Sequence, residues 1–256
     1  MNVVCIGSGQ LANQLMPALE SSGCKIVQIY NRSEETARVL GSKLNSTPFT
    51  TLISEVRSDA DIYFFTLSDD AIPLVADQLY PIIHKKAIGV HCSGGLTLDA
   101  LPFSKRAGFY PLQSFSDNHE VSWKYIPIII TTEDENILDT LDNIASKIST
   151  VVYRMTDSQK AILHVAAVFA NNFSNHMLVL AERICKENNL PYEILKPLVM
   201  ETFSKAIISG PSESQTGPAV RGDVQTIEKH LQTLKEYPEL LKIYRLITES
   251  IKSGSQ

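Results

Sequence analysis

The sequence predicts an α/β fold: a doubly wound, mostly parallel sheet in residues 1–153, then an all-helical region in residues 154–256. Three observations predict it. Short apolar runs alternate with helix-like stretches through the first part, a glycine-rich turn follows the first run directly, and the strand-like runs stop beyond Tyr153.

In order, the predicted strands are the apolar runs at residues 3–6, 26–30, 62–67, 87–92, 126–131 and 151–153. Sheets of this kind bind ligands beyond the carboxyl ends of their strands, near the point where strand order reverses. The first run leads into Gly7-Ser8-Gly9-Gln10-Leu11-Ala12, a G-x-G-x-x-A pattern. Gly7 permits a sharp turn, Gly9 lets a pyrophosphate approach the backbone, and Ala12 lets the next helix pack close to the sheet. The start of that helix offers free N–H groups and the positive end of its dipole, so Ser8, Gln10 and Leu11 join the two glycines as cofactor-binding candidates.

The second run ends in Asn31-Arg32-Ser33. An NAD site would carry an acidic residue there for the ribose 2′-hydroxyl. Arg32 instead offers a guanidinium to a 2′-phosphate, with Asn31 and Ser33 beside it, so the expected cofactor is NADP(H). Ser33 can also cap the helix that begins at Glu34, and the two roles are compatible. The third and fourth runs end in Leu67-Ser68-Asp69 and in His91-Cys92-Ser93-Gly94-Gly95. Leu67, Ser68, Asp69 and Ser93 are expected to border the nicotinamide, and His91 to line the cleft.

Composition limits the partners. With 256 residues, 44% hydrophobic and 20% charged, the chain can bury one large core or two modest ones. A net charge of −5 without a basic tract argues against nucleic acid. The opening Met1-Asn2 has no basic leader, and no apolar run approaches the roughly 20 residues of a membrane span, so a cytoplasmic protein is expected. The four cysteines lack C-x-x-C spacing, which points to neither disulfides nor a metal site; Cys5 and Cys24 read as core thiols. His84 and His119 read as surface residues.

In the second part, Asp157 is the expected cap of one long helix over residues 158–188, apolar on most faces and free of Gly and Pro. Its amides and histidines exclude a lipid-facing helix. A helix apolar on so many sides in so small a domain calls for a partner, and a homodimer built through this half is expected. Further helices are predicted near 192–209, 224–235 and 238–253. At 100° per residue, Lys160, His164, Asn171 and Asn175 share one stripe. Lys160 is the candidate proton donor or acceptor, His164 its partner, and Asn171 or Asn172 an orienting amide for substrate. Loop backbones or water at a dimer seam would satisfy the asparagines equally well. In Thr216-Gly-Pro-Ala-Val-Arg-Gly-Asp223, Asp223 can cap a helix and Arg221 can hold an anion, unless the two simply pair. His230 is read either as functional or as a surface residue.

The G-x-G-x-x-A turn, Asn31-Arg-Ser33, His91-Cys-Ser-Gly-Gly95, Tyr110-Pro-Leu-Gln113, Lys160-x-x-x-His164, Pro197-Leu198 and Thr216–Asp223 together carry a resemblance. The chain resembles the bacterial NADP oxidoreductases that join a Rossmann domain to a helical C-terminal domain of unknown function. It is more distantly similar to pyrroline-5-carboxylate reductase, the β-hydroxyacid and 6-phosphogluconate dehydrogenases, and the deazaflavin-dependent NADP reductases. The resemblance implies that Lys160 takes the place of the β-hydroxyacid lysine, while His164 stands where that group has asparagine; Tyr110 stands where the family often has histidine. The expected activity is hydride transfer between nicotinamide and a small, anionic substrate held between the two domains, with the helical one also serving dimerisation. The alternative is a non-catalytic NADP(H)-binding sensor or scaffold.

Overall fold

A computed structural model describes residues 1–116 and 121–254. His119 lies outside the described residues. Eight strands among them form one sheet: β1 (Asn2–Ile6), β2 (Lys25–Tyr30), β3 (Phe49–Thr50), β4 (Ile62–Phe65), β5 (Ile88–His91), β6 (Lys105–Pro111), β7 (Ile128–Thr131) and β8 (Val152–Arg154). Their order is β3-β2-β1-β4-β5-β6-β7-β8, parallel throughout except where β6 meets β7. Strand order reverses between β1 and β4, so the switch point lies where the glycine-rich turn leaves β1.

Alternation along the strands builds two cores. Val3 and Cys5 of β1 and Phe64 of β4 face one core with Leu15 of α1 (Gln10–Ser21), Leu40 of α2 (Glu34–Lys43) and Leu141 of α4 (Glu135–Ile148). Val4, Ile6, Tyr63 and Phe65 face the other, with Ile72 and Leu79 of α3 (Ala71–Leu79). Because side chains alternate across a strand, a run buried on both faces reads as continuously apolar, and this made the strands legible. Two strands escaped the prediction. β3 is only two residues long, and β6 begins Lys105-Arg106 and contains Gly108, so neither shows an apolar run.

The chain divides into two compact units, Met1–Ala170 and Asn171–Gln256. The first extends past the expected boundary at 153 because α5 (Asp157–Ala167) is hydrogen-bonded to the loop after β5: the Lys160 ammonium donates to Leu96 O at 2.6 Å, and Leu98 N–H donates to Asp157 Oδ2 at 2.9 Å. The cap of α5 is Thr156, in a reciprocal capping box with Gln159, rather than Asp157, whose carboxylate is engaged by Leu98.

The expected single helix over 158–188 consists of α5, a π turn at Val168–Phe173 and α6 (Ser174–Glu187). Wider π turns break the 3.6-residue period, so the stripe that linked Asn171 and Asn175 to His164 does not carry through. Within the single chain, few residues of these helices are buried. Lys160 and Cys185 are the buried residues of α5 and α6, while Ile162 and Phe169 are 73% and 64% exposed.

The second unit is helical: α6, α7 (Lys196–Ser209), the short α8 (Pro211–Ser214), α9 (Val224–Thr233) and α10 (Pro238–Gly254). As expected, Asp223 caps α9, accepting from Thr226 N at 3.0 Å and Thr226 Oγ1 at 2.7 Å, and the two threonine bonds hold its carboxyl below the usual range.

Candidate active site

Two groups of residues meet at the carboxyl edge of the sheet. The first surrounds the glycine-rich turn. Gly7 has φ +110°, and a Cβ there would lie 2.9 Å from both Thr66 O and Thr66 Oγ1, so this position requires glycine for the fold itself. Gly9 differs. It stands at the N-cap of α1 with φ −76°, no side chain caps the helix, and a Cβ would meet nothing within 4 Å. The start of α1 is thus open for an anion, and Ala12 is fully buried against the sheet.

Thr36, which the sequence reading missed, ties the turn to the end of β2. Ser8 Oγ donates to its hydroxyl at 2.9 Å, Asn31 Nδ2 donates to it at 2.7 Å, and Thr36 in turn donates to Ser33 O at 3.3 Å. Arg32 is exposed and forms no ion pair among the described residues, so its guanidinium is available. Ser33 occupies the N-cap of α2, but its hydroxyl makes no cap hydrogen bond; the capping role is not realised. Leu67 is half-buried and Ser68 and Asp69 are exposed just past β4.

The second group lies past β5 and β6. Ser93 Oγ accepts from Gly95 N and Leu96 N, both at 3.0 Å, which folds residues 93–96 into a tight turn. Gly94 packs against two side chains: a Cβ there would lie 2.6 Å from His164 Nδ1 and 2.7 Å from Tyr110 Cζ. Those two are themselves paired, with the Tyr110 hydroxyl 3.1 Å from His164 Nδ1 and the rings edge to face. Both are half-buried, so one side of the pair remains accessible. Burial, and then the Asp69 carboxylate, push the Tyr110 phenol up, keeping its proton on at neutral pH. Asp69 Oδ2 lies 3.1 Å from where a Cβ on Gly95 would be, which puts it beside the same turn.

The expected proton donor and the expected cleft histidine lie elsewhere. The Lys160 side chain is 1% exposed, bonded to Leu96 O and paired with Asp157 Oδ1 at 3.1 Å; burial lowers its pKa, partly offset by Asp157. His91 is fully buried in β5 with neither ring nitrogen hydrogen-bonded, and burial together with the adjacent Lys160 pushes its pKa down to about 3. In the single chain both side chains are closed off from solvent. Residue type, the helix stripe and the resemblance to the β-hydroxyacid dehydrogenases make Lys160 the catalytic candidate; the residue they do not single out is Tyr110, an aromatic hydroxyl at the end of the unpredicted strand β6.

Asn171, Asn172 and Arg221 belong to the second unit and are exposed. Arg221 forms no ion pair among the described residues, so the simple pairing with Asp223 is not seen. His230 Nδ1 lies 2.8 Å from the Tyr244 hydroxyl. His84 is exposed with Nε2 2.9 Å from Ala60 O, and Cys5 and Cys24 are buried and free, as expected. No helix among the described residues is long and apolar enough to cross a membrane.

Comparison with known proteins defines the class. The profile of the shikimate/quinate 5-dehydrogenase family matches residues 1–87, and that of a domain of unknown function, DUF2520, matches residues 126–251. A solved structure from Bacteroides fragilis, described as a "putative NADP oxidoreductase", is 37% identical over 98% of both chains with a TM-score of 0.90. The chain belongs to that NADP oxidoreductase family. A protein from Thermotoga maritima is 25% identical over 99% of this chain and 98% of its own, with a TM-score of 0.76. An imine reductase from Myxococcus stipitatus, solved with NADP+, shares the fold at 12% identity, covering 99% of this chain and 92% of its own, with a TM-score of 0.70. No curated protein matches the chain.

Proposed function

We propose that this protein is an NADP(H)-dependent oxidoreductase acting on a small substrate, with Tyr110 and His164 handling the proton. The observation that carries the reading is the 3.1 Å pair at the same sheet edge as an uncapped, glycine-lined helix start. The residues fit the cofactor: Gly9 leaves room that a Cβ would fill, the first turn of α1 suits a pyrophosphate, and Arg32 suits a 2′-phosphate. Bound there, nicotinamide supplies or accepts the hydride. Tyr110, kept protonated, donates to the substrate heteroatom, and His164 Nδ1 holds the hydroxyl in place and receives or returns its proton.

Leu67, Ser68, Asp69 and Ser93 would border the reacting ring, and Arg221 would hold an anionic group of the substrate. The helical half would provide the dimer contact. Supporting this, Leu198, Ile207 and Ile208 of α7 are 64%, 83% and 81% exposed, which is costly for a lone chain and suits a second copy. Sedimentation equilibrium tests it: a dimer that Ile207→Asp splits is expected, and a monomeric wild type would remove this part of the proposal.

The test of the function is a titration with NADPH and NADH, followed by a screen of imines, 2-oxo acids, semialdehydes and oxidised deazaflavin for NADPH oxidation. Preferential NADPH binding with turnover of one class supports the enzyme. Binding without turnover favours a sensor or scaffold, and no binding of either nucleotide removes both readings.

A further inference from the structure

We infer that Asp157 and Lys160 are positioning residues: from one turn of α5 they grip the backbone on both sides of Thr97 and thereby set the 93–96 turn against Tyr110 and His164. The inference deepens the proposed function and rests on its assignment of the proton to that pair.

The grip is two-handed. The Lys160 ammonium takes the carbonyl of Leu96 at 2.6 Å, and the Asp157 carboxylate takes the amide of Leu98 at 2.9 Å. The two side chains then lie 3.1 Å apart, so neither charge is left alone in a buried place. The gripped strand of chain continues directly from the Ser93 turn, whose Gly94 touches both members of the proton-handling pair. Gly108 makes room for the lysine: a Cβ there would stand 3.3 Å from Lys160 Nζ and equally close to His91 Cε1. His91, uncharged beside the ammonium, leaves Lys160 as the one buried positive charge among the described residues. A lysine placed to give protons to substrate would be reachable; this one is sealed and spends its hydrogen bonds on the loop.

The experiment uses the full chain and needs no substrate. Lys160→Met keeps the volume of the side chain and removes its donor. Hydrogen exchange of the Leu96 and Leu98 amides, NMR resonances of the His164 ring, and NADPH affinity are measured together. The expected result is exchange at these two amides faster by roughly tenfold or more, with shifted His164 resonances, while Cys5 and Ile29 in the sheet keep their protection. NADPH affinity should stay within roughly threefold, since the lysine is distant from the glycine-rich turn in role. Unchanged exchange and resonances, or a uniform loss of protection across the sheet, would overturn the inference. If Lys160→Met fails to fold, Asp157→Asn keeps an oxygen for the Leu98 amide and removes the charge; faster Leu96 exchange is expected, and no change overturns the inference. A wild type that binds no NADPH would refute the functional reading instead, and the exchange data would still decide the grip.

Discussion

The Tyr110 hydroxyl and His164 Nδ1 stand 3.1 Å apart because a helix and a strand match in step. Residues four apart on α5, Lys160 and His164, are about 6 Å apart along the axis, and residues two apart on β6, Gly108 and Tyr110, are separated by about the same. Lys160 therefore meets Gly108 where His164 meets Tyr110. The small residue receives the long buried side chain, and the large one receives the half-buried histidine.

Tyr110→Phe removes the hydroxyl and keeps the ring. On whichever substrate the screen identifies, kcat is expected to fall by about 10²–10⁴, the usual worth of a positioned general acid or base, with NADPH affinity unchanged. Stopped-flow measurement of NADPH oxidation checks this, and wild-type turnover in the variant would remove Tyr110 from the chemistry.

Gly7 and Gly9 should behave oppositely on substitution by alanine. Gly7→Ala forces a side chain into φ +110° and against Thr66, and a loss of about 2 kcal/mol or more is expected in urea unfolding. Gly9→Ala meets open space, so stability should hold while NADPH binding weakens by roughly tenfold or more, about 1.4 kcal/mol. Equal losses of stability in both would show that Gly9 serves the fold rather than a ligand.

Arg32→Ala should weaken NADPH by about 1.5–3 kcal/mol, the range for a charged hydrogen bond, and leave NADH nearly unaffected. Calorimetry on both nucleotides is decisive, because a parallel loss of the two would place Arg32 on the shared part of the molecule.

His91 predicts an acid-sensitive fold. Its pKa is 6.5 when unperturbed and about 3 in the structure, so between these values the unfolded chain binds a proton that the folded chain does not. The stability it permits is complete above pH 6.5 and is lost as pH falls toward 3, by up to about 1.4 kcal/mol per pH unit. Urea unfolding of the wild type and His91→Gln across this window should converge at low pH; parallel curves would contradict the assignment.

Local pattern carried much of this molecule. Five of the strands show in the sequence because the sheet is covered on both faces, which makes each a largely apolar run; the edge strand β8, partly buried then exposed, shows only through the short run at residues 151–153. The glycine-rich turn shows because it follows β1 in the chain, and the Asp223 cap because it reaches only to Thr226. β6 did not show, since a strand with charged residues at its start and a glycine within it relies on its neighbours for burial, and Tyr110 was lost with it.

What the sequence determined by itself is therefore whatever depends on residues near one another in the chain: the alternation that makes the sheet, the turn shaped for a phosphate, and the absence of an acid beside Arg32. Tertiary structure alone decided which side chains meet. Tyr110 and His164 are 54 residues apart, and nothing in the spacing of either segment says that α5 lies along β6 in that register. The same packing closed over Lys160, turning a residue whose type suggests proton transfer into one that holds a loop, because burial removes a charge from water and leaves it only the partners the fold provides.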